Sequence, residues 1–365
     1  MKNILIISLS IVVMTSCTSN KPTITGENWG NIDSIPVYLY TLTNSNGVMA
    51  KITNYGGILV EYNAPDRDGK MENIVLGLGS LDDYLAGHPS LGCIIGRYAN
   101  RIGEAKFTLD STEYILAVNS GKNHIHGGIK RFSHKVWDAA TSGDEQSVTL
   151  SLKCTATDME EGYPGNMIVT ADYVLNNDNE LKISYTAITD KPTVINLTNH
   201  SYFNLTGCKE DVLNHQVVIY ADTYTPFDNV NIPTGEIAPV EGTPFDLRQW
   251  TVIADRLSDL PKGYDNNYCL KGTPDNLVLA AELYEPKSGR LLQTYTTEPG
   301  VQFYTACNLD GKKKSPQGVA YSPFMGACFE AQHYPDSPNK PNFPTTTLRP
   351  GETYTQVTIY KVGVK

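Results

Sequence analysis

The chain has 365 residues, of which 40% are apolar, and a formal charge of −10 at pH 7. That length and apolar content suffice to bury a substantial core. The 39 acidic side chains outnumber the 29 basic ones and are spread along the chain. This balance excludes nucleic acid and anionic membrane surfaces as partners and favours neutral polar ligands.

In chain order, Met1-Lys2-Asn3 supplies a positive charge, and Ile4 to Met14 is an apolar run broken only by Ser8 and Ser10. A membrane-spanning helix needs ~20 apolar residues, so the run is too short to span and reads as an export signal. It ends in Met14-Thr15-Ser16-Cys17. This resembles a bacterial lipoprotein cleavage box, with Met14 an unusual first residue. The resemblance implies that Cys17 becomes the lipid-bearing first residue of an exported, periplasmic, membrane-anchored protein, whose only tie to the membrane is that lipid. Plain secretion is the alternative. Residues 18–29 are polar and read as a tether, leaving 30–365 as one domain.

The rest of the chain has the period of strands. Val148, Leu150, Leu152 and Cys154 alternate with polar residues, as do Leu181, Ile183, Tyr185 and Ala187, and Val357 and Ile359 near the end. Turn sequences such as Pro65-Asp66-Arg67-Asp68-Gly69 and Asn176-Asn177-Asp178-Asn179 separate these runs. No long 3.6-residue period, linker or internal repeat interrupts them. The expectation is an all-β, single-domain antiparallel architecture. Cys93, Cys154, Cys208, Cys269, Cys307 and Cys328 lie in apolar stretches without a short-spaced framework, which favours free thiols.

Three polar clusters carry candidate chemistry. Asn123-His124-Ile125-His126-Gly127-Gly128 places two histidines at i and i+2, on one side of a strand, as a metal pair would be. The positions where a third ligand would follow hold Lys130 and Arg131, so no metal is expected. His124 reads as a packed histidine, and His126 as a substrate hydrogen-bonding group beside two glycines that admit a ligand. Asn196, Thr198 and His200 alternate into a polar row bearing one titratable group. Glu330 has apolar neighbours on both sides in sequence, and buried carboxylates are rare unless paired or functional.

Taken together, these segments resemble the aldose 1-epimerase (galactose mutarotase) family. The likeness begins at Asn54-Tyr55-Gly56-Gly57 and runs through Arg97–Ile102, His126-Gly127-Gly128, Gly162–Asn166, Asn196–Leu205 and Tyr224-Thr225-Pro226. It continues through Ile232–Ile237, Thr243–Asp246, Gly263–Asn267, Pro299–Thr305, Glu330-Ala331-Gln332 and Leu348–Glu352. Ala331 stands where threonine is usual, and Cys307 replaces a more polar neighbour. The resemblance implies a large β-supersandwich that needs no cofactor and takes a small-molecule aldose. It implies His200 as general acid and Glu330 as general base, with Asn100, Arg101, His126, Tyr202, Asp265 and Gln302 orienting the sugar. Opening a pyranose requires a base at the C1 hydroxyl and an acid at the ring oxygen, so the expected pair is ionised Glu330 with protonated His200, each favouring the other's charge. A glycoside hydrolase using Asp265 and Glu330, or a non-catalytic sugar-binding module, is the alternative.

Overall fold

The computed structural model describes residues 21–365, so the export signal and Cys17 lie outside the described residues. Thr23–Ile32 opens a five-stranded antiparallel meander that continues through Ile35–Thr43, Met49–Thr53, Leu59–Pro65 and Met71–Asn73. The first strand of the described residues therefore begins at Thr23, inside the stretch read as a tether to residue 29. Its first strand is mostly exposed and polar, because an edge strand needs only a ladder partner, here Ile35–Thr43.

The largest sheet has nine antiparallel strands. Its centre runs Ser147–Ala156, Met167–Asn176, Glu180–Thr189, Tyr354–Val364, Arg290–Thr296. Val148, Leu150, Leu152 and Cys154 are buried, as are Leu181, Ile183, Tyr185 and Ala187, which is the face their alternation indicates. At Tyr354–Val364 the alternation holds but the face is reversed. Gln356, Thr358, Tyr360 and Val362 are buried, while Val357 and Ile359 are only half-buried. The polar side chains are tolerated inside because they have partners. The Gln356 amide donates to the Ala331 carbonyl at 2.9 Å, and the Tyr360 hydroxyl donates to Phe329 at 3.2 Å. Those two carbonyls flank Glu330, so the last strand of the chain holds the backbone of the strand that bears it.

A second five-stranded sheet runs Ala238–Pro239, Thr223–Thr225, Asp265–Cys269, Gly300–Tyr304, Cys328–Gln332. One of its faces sends Tyr268, Val301, Phe303 and Phe329 into the main core, with Phe303 stacked on Phe329 at 5.2 Å between ring centroids. Each buried phenylalanine contributes roughly 1.5–3 kcal/mol. The opposite face carries the polar residues of the cleft. All six cysteines among the described residues are unpaired.

Candidate active site

Strand pairing selects which polar residues meet. In an antiparallel ladder, directly opposed residues share a face. Asp265 opposes Tyr304, and Gln302 opposes Glu330. Asp265, Gln302, Tyr304 and Glu330 therefore project together, away from the phenylalanine face.

His200 enters from a different element. Thr198–Asn199 pairs with Ile94–Ile95, and the His200 N–H then donates to the Cys93 carbonyl at 2.9 Å while its own carbonyl accepts from Gly92 at 2.9 Å. The ring stacks on Tyr202, with centroids 4.9 Å apart and planes 18° apart. Its Nε2 stands 3.6 Å from Glu330 Oε2, and both residues are buried. Neither His200 Nδ1 nor Glu330 Oε2 has a hydrogen-bond partner within the protein. Unsatisfied buried polar atoms carry a desolvation cost, so a pair of them at the floor of a cleft marks a place kept for a ligand. The Asn196–His200 row divides by task. Asn196 is structural, its amide bonding both the N–H and the carbonyl of His333.

The two histidines of the 124–126 segment separate. His124 is buried, with Nδ1 2.7 Å from the Ala117 carbonyl and Nε2 2.7 Å from the Tyr163 hydroxyl, a satisfied packed histidine. His126 adopts φ of +52°, which turns it out of the strand alternation and against the His200 ring, 5.3 Å between centroids. The i, i+2 pairing expected of a straight strand is thus broken by the backbone at the second histidine.

His126, His200 and Glu330 bring ligand-type atoms within 4.8 Å of one another, a His₂Glu set that could suit zinc. The backbone argues otherwise. The Asn100 N–H donates to His126 Nδ1 at 3.2 Å, which makes Nδ1 the acceptor and leaves the neutral ring's proton on Nε2. A metal ligand must offer a lone pair at that atom. His126 presents a donor instead, suited to a sugar oxygen.

Burial controls the charge state. It pushes the Glu330 carboxyl well above the usual carboxylate range, with the Asp265 charge adding to the effect and Arg101 opposing it. Burial also lowers His200 to about 3. Burial thus favours the neutral form of both side chains, which opposes the ionised pair expected from proximity. Desolvation of both charges outweighs their mutual attraction across 3.6 Å.

The remaining residues form a network. Gln302 Nε2 donates to Asp265 Oδ1 at 2.7 Å, and Arg101 lies 4.0 Å from Asp265 Oδ2. Asn100 Oδ1 accepts from the Arg101 N–H at 2.9 Å and from its guanidinium at 3.3 Å. The Tyr202 hydroxyl donates to Pro89 at 2.7 Å, so its main work is holding the His200 ring. The cleft has a volume of about 300 Å³ and is also lined by His88, Arg131, Tyr304 and Asn308. Tyr304 was legible within the Pro299–Thr305 motif, but no motif marks His88 or Asn308. Arg131 figured in the sequence only as a missing metal ligand. Arg97 is not in the cleft; it is buried, donating to Pro164 and Thr193.

Comparison with known proteins agrees with this geometry. The profile of the aldose 1-epimerase family matches residues 38–361. The human galactose mutarotase is 42% identical over 315 residues, covering 86% of this chain and 90% of that protein. The aldose 1-epimerase of Escherichia coli is 37% identical over 336 residues, 90% of this chain and 96% of that one. The crystal structure of a galactose 1-epimerase from Lactobacillus acidophilus superposes with a TM-score of 0.83 at 30% identity, covering 94% and 99% of the two chains. With the family profile matched over residues 38–361 and likeness along nearly its whole described length, this chain belongs to the aldose 1-epimerase family.

Proposed function

We propose that the protein interconverts the α and β anomers of free aldohexoses such as glucose and galactose, with His200 and Glu330 exchanging protons with the substrate. The observation that carries this reading is the 3.6 Å separation of His200 Nε2 and Glu330 Oε2 at the cleft floor. The hydroxyl and ring oxygens of a hemiacetal share one carbon, so the acid and base that open it must stand side by side. A hydrolase places its two carboxyl groups at least ~5 Å apart, across the anomeric centre. That arrangement would leave the contact between His200 and Glu330 without a task.

Without a sugar, burial favours the neutral form of both groups. Sugar hydroxyls donating to the carboxylate, and a ring oxygen accepting from the imidazolium, favour the ionised arrangement. Loading the site thus offsets the burial that favours the neutral forms and brings the pair to ionised Glu330 and protonated His200. Glu330 then takes the proton of the C1 hydroxyl while His200 protonates the ring oxygen, and the ring opens to the aldehyde. Rotation about C1–C2 presents the other face, and the two transfers run backwards to close it. His126, Arg101 and Asn100 donate to sugar oxygens, while Asp265, held by Gln302, accepts from a hydroxyl. Each proton transfer is expected to contribute ~10²–10⁴-fold. No step calls for a metal or a nucleotide.

Polarimetry of freshly dissolved α-glucose and α-galactose tests the reading. The wild type accelerates the approach to equilibrium with chelator present, and His200→Asn depresses it by at least about 10²-fold. Reducing ends released from an oligosaccharide, with no effect on monosaccharide anomers, would establish the hydrolase instead. Export and lipid anchoring through Cys17 belong to the same proposal and rest on the Met1–Cys17 sequence. Cys17→Ser should release the protein from the membrane fraction and abolish labelling by a fatty-acid analogue. A wild type that is never labelled reduces the claim to secretion.

A further inference from the structure

A larger cavity than the catalytic cleft, about 570 Å³, lies apart from it and shares none of its lining residues. Its walls come from Gly272–Pro274, Thr297–Pro299, Pro344–Leu348 and Glu352–Thr355, together with Ile195 and His333. One polar feature inside it has no part in the proton transfers described above. The His333 Nδ1 contacts Glu298 Oε2 at 2.6 Å, and the Glu298 side chain is almost wholly buried. Burial pulls His333 down, but the Glu298 charge and hydrogen bond outweigh it and leave the imidazole above its ordinary value. This is a carboxylate-oriented histidine whose tautomer is set by the acid behind it. The ring is also held from its backbone, since the Asn196 amide bonds both the N–H and the carbonyl of His333, at 2.9 and 3.1 Å.

The rest of the lining narrows the ligand. No lysine or arginine reaches the cavity, while Glu298 and Glu352 both do, so phosphates and carboxylates find no counter-charge. Glu298 is already matched by His333, which leaves little to attract a cation. The remaining surface is mainly threonine and proline, with Ile195, Leu348 and Tyr354 beside them: Thr273, Thr297, Thr345 and Thr353 offer a hydroxyl and a methyl each, and Pro274, Pro299 and Pro344 offer flat C–H faces. A lining of hydroxyl and C–H groups together complements a pyranose ring, which presents both. The volume falls within the range of ordinary small-molecule sites. We propose that this cavity is a second, non-catalytic binding site for a neutral sugar ring, anchored by the Glu298–His333 pair.

The inference does not depend on the catalytic assignment, because it is read by counting bound sugar rather than by turnover. Equilibrium dialysis of the full chain with radiolabelled galactose should find two molecules per chain. Thr345→Trp and Thr353→Trp, at exposed positions on the rim, should each fill the mouth and leave one, with polarimetric turnover within twofold of wild type as the control for folding. His126→Ala should also leave one, this time with turnover impaired. A single molecule bound to the wild type overturns the proposal. So does a count of two that survives in both tryptophan variants, since the second sugar would then lie elsewhere.

Discussion

Glu330→Gln separates catalysis from stability in a way that the burial of this carboxyl dictates. Glutamine has the same size and can occupy the same place beside His200 Nε2, so the fold should persist. Turnover should fall by at least about 10²-fold, because the proton acceptor for the C1 hydroxyl is gone. Stability should move the other way. Burial raises the folded-state pKa of Glu330 well above the ordinary 4.5, so the folded protein keeps a proton that the unfolded chain releases above that pH. A group with a raised folded pKa contributes fully below the unfolded value and loses that contribution as pH rises. Each pH unit between 4.5 and the folded value costs the wild type up to about 1.4 kcal/mol that the glutamine variant does not bear. At pH 7 the variant should therefore be the more stable of the two, with the gain shrinking to nothing near pH 4.5. Urea unfolding of both proteins at pH 4.5, 6 and 7.5, with polarimetry on the same samples, measures both effects. A stability difference that does not change with pH would refute the claim that Glu330 is held protonated. Turnover surviving in the variant would refute its role as base.

Further outcomes follow from neighbouring groups. Asp265→Asn removes the proposed acceptor for a sugar hydroxyl, which is worth ~1.5–3 kcal/mol, so KM should rise about 10- to 100-fold with a much smaller change in kcat; the reverse split in steady-state polarimetry would move the base from Glu330 to Asp265. Gly127→Ala should impair both folding and activity, because Gly127 adopts φ of +81° and an added Cβ would run into the Gly96 carbonyl oxygen. The expected destabilisation is ~1–3 kcal/mol by urea titration, with kcat/KM lost through displacement of His126, and an unaltered variant would show the turn to be tolerant. Acid should weaken the fold before the carboxylates titrate: burial lowers His88 and His200 to about 3 and His215 to about 4, so stability is full above the unfolded value of 6.5 and declines as pH falls below it. His333, raised beside Glu298, and Glu330, raised by burial, oppose this with two contributions against those of the three histidines, and thermal melts from pH 7 to 5 should show the net loss.

The sequence by itself determined the β architecture and brought forward the residues proposed for the site. Two-residue alternation can be read wherever a strand is buried on one face, as at Val148–Cys154, and the family motifs named His200, Glu330, His126 and Asp265 in order. Local pattern could not decide which face of a strand turns inward when both are mixed. At Tyr354–Val364 the buried face carries Gln356 and Thr358, because the neighbouring strand offers carbonyls for Gln356 and Tyr360 to meet. It could not show that Thr23–Ile32 is a strand, since an exposed edge needs a partner rather than an apolar face. Nor could it show the divergence of His124 and His126, which a single positive φ brings about. His88 and Asn308 reach the cleft from segments without a motif, and only the packing of distant loops brings them there. The charge state of His200 and Glu330 is the clearest case. Residue types suggested an ionised glutamate and a protonated histidine, but how far each is removed from water is a property of the whole fold, and that burial favours the neutral form of both.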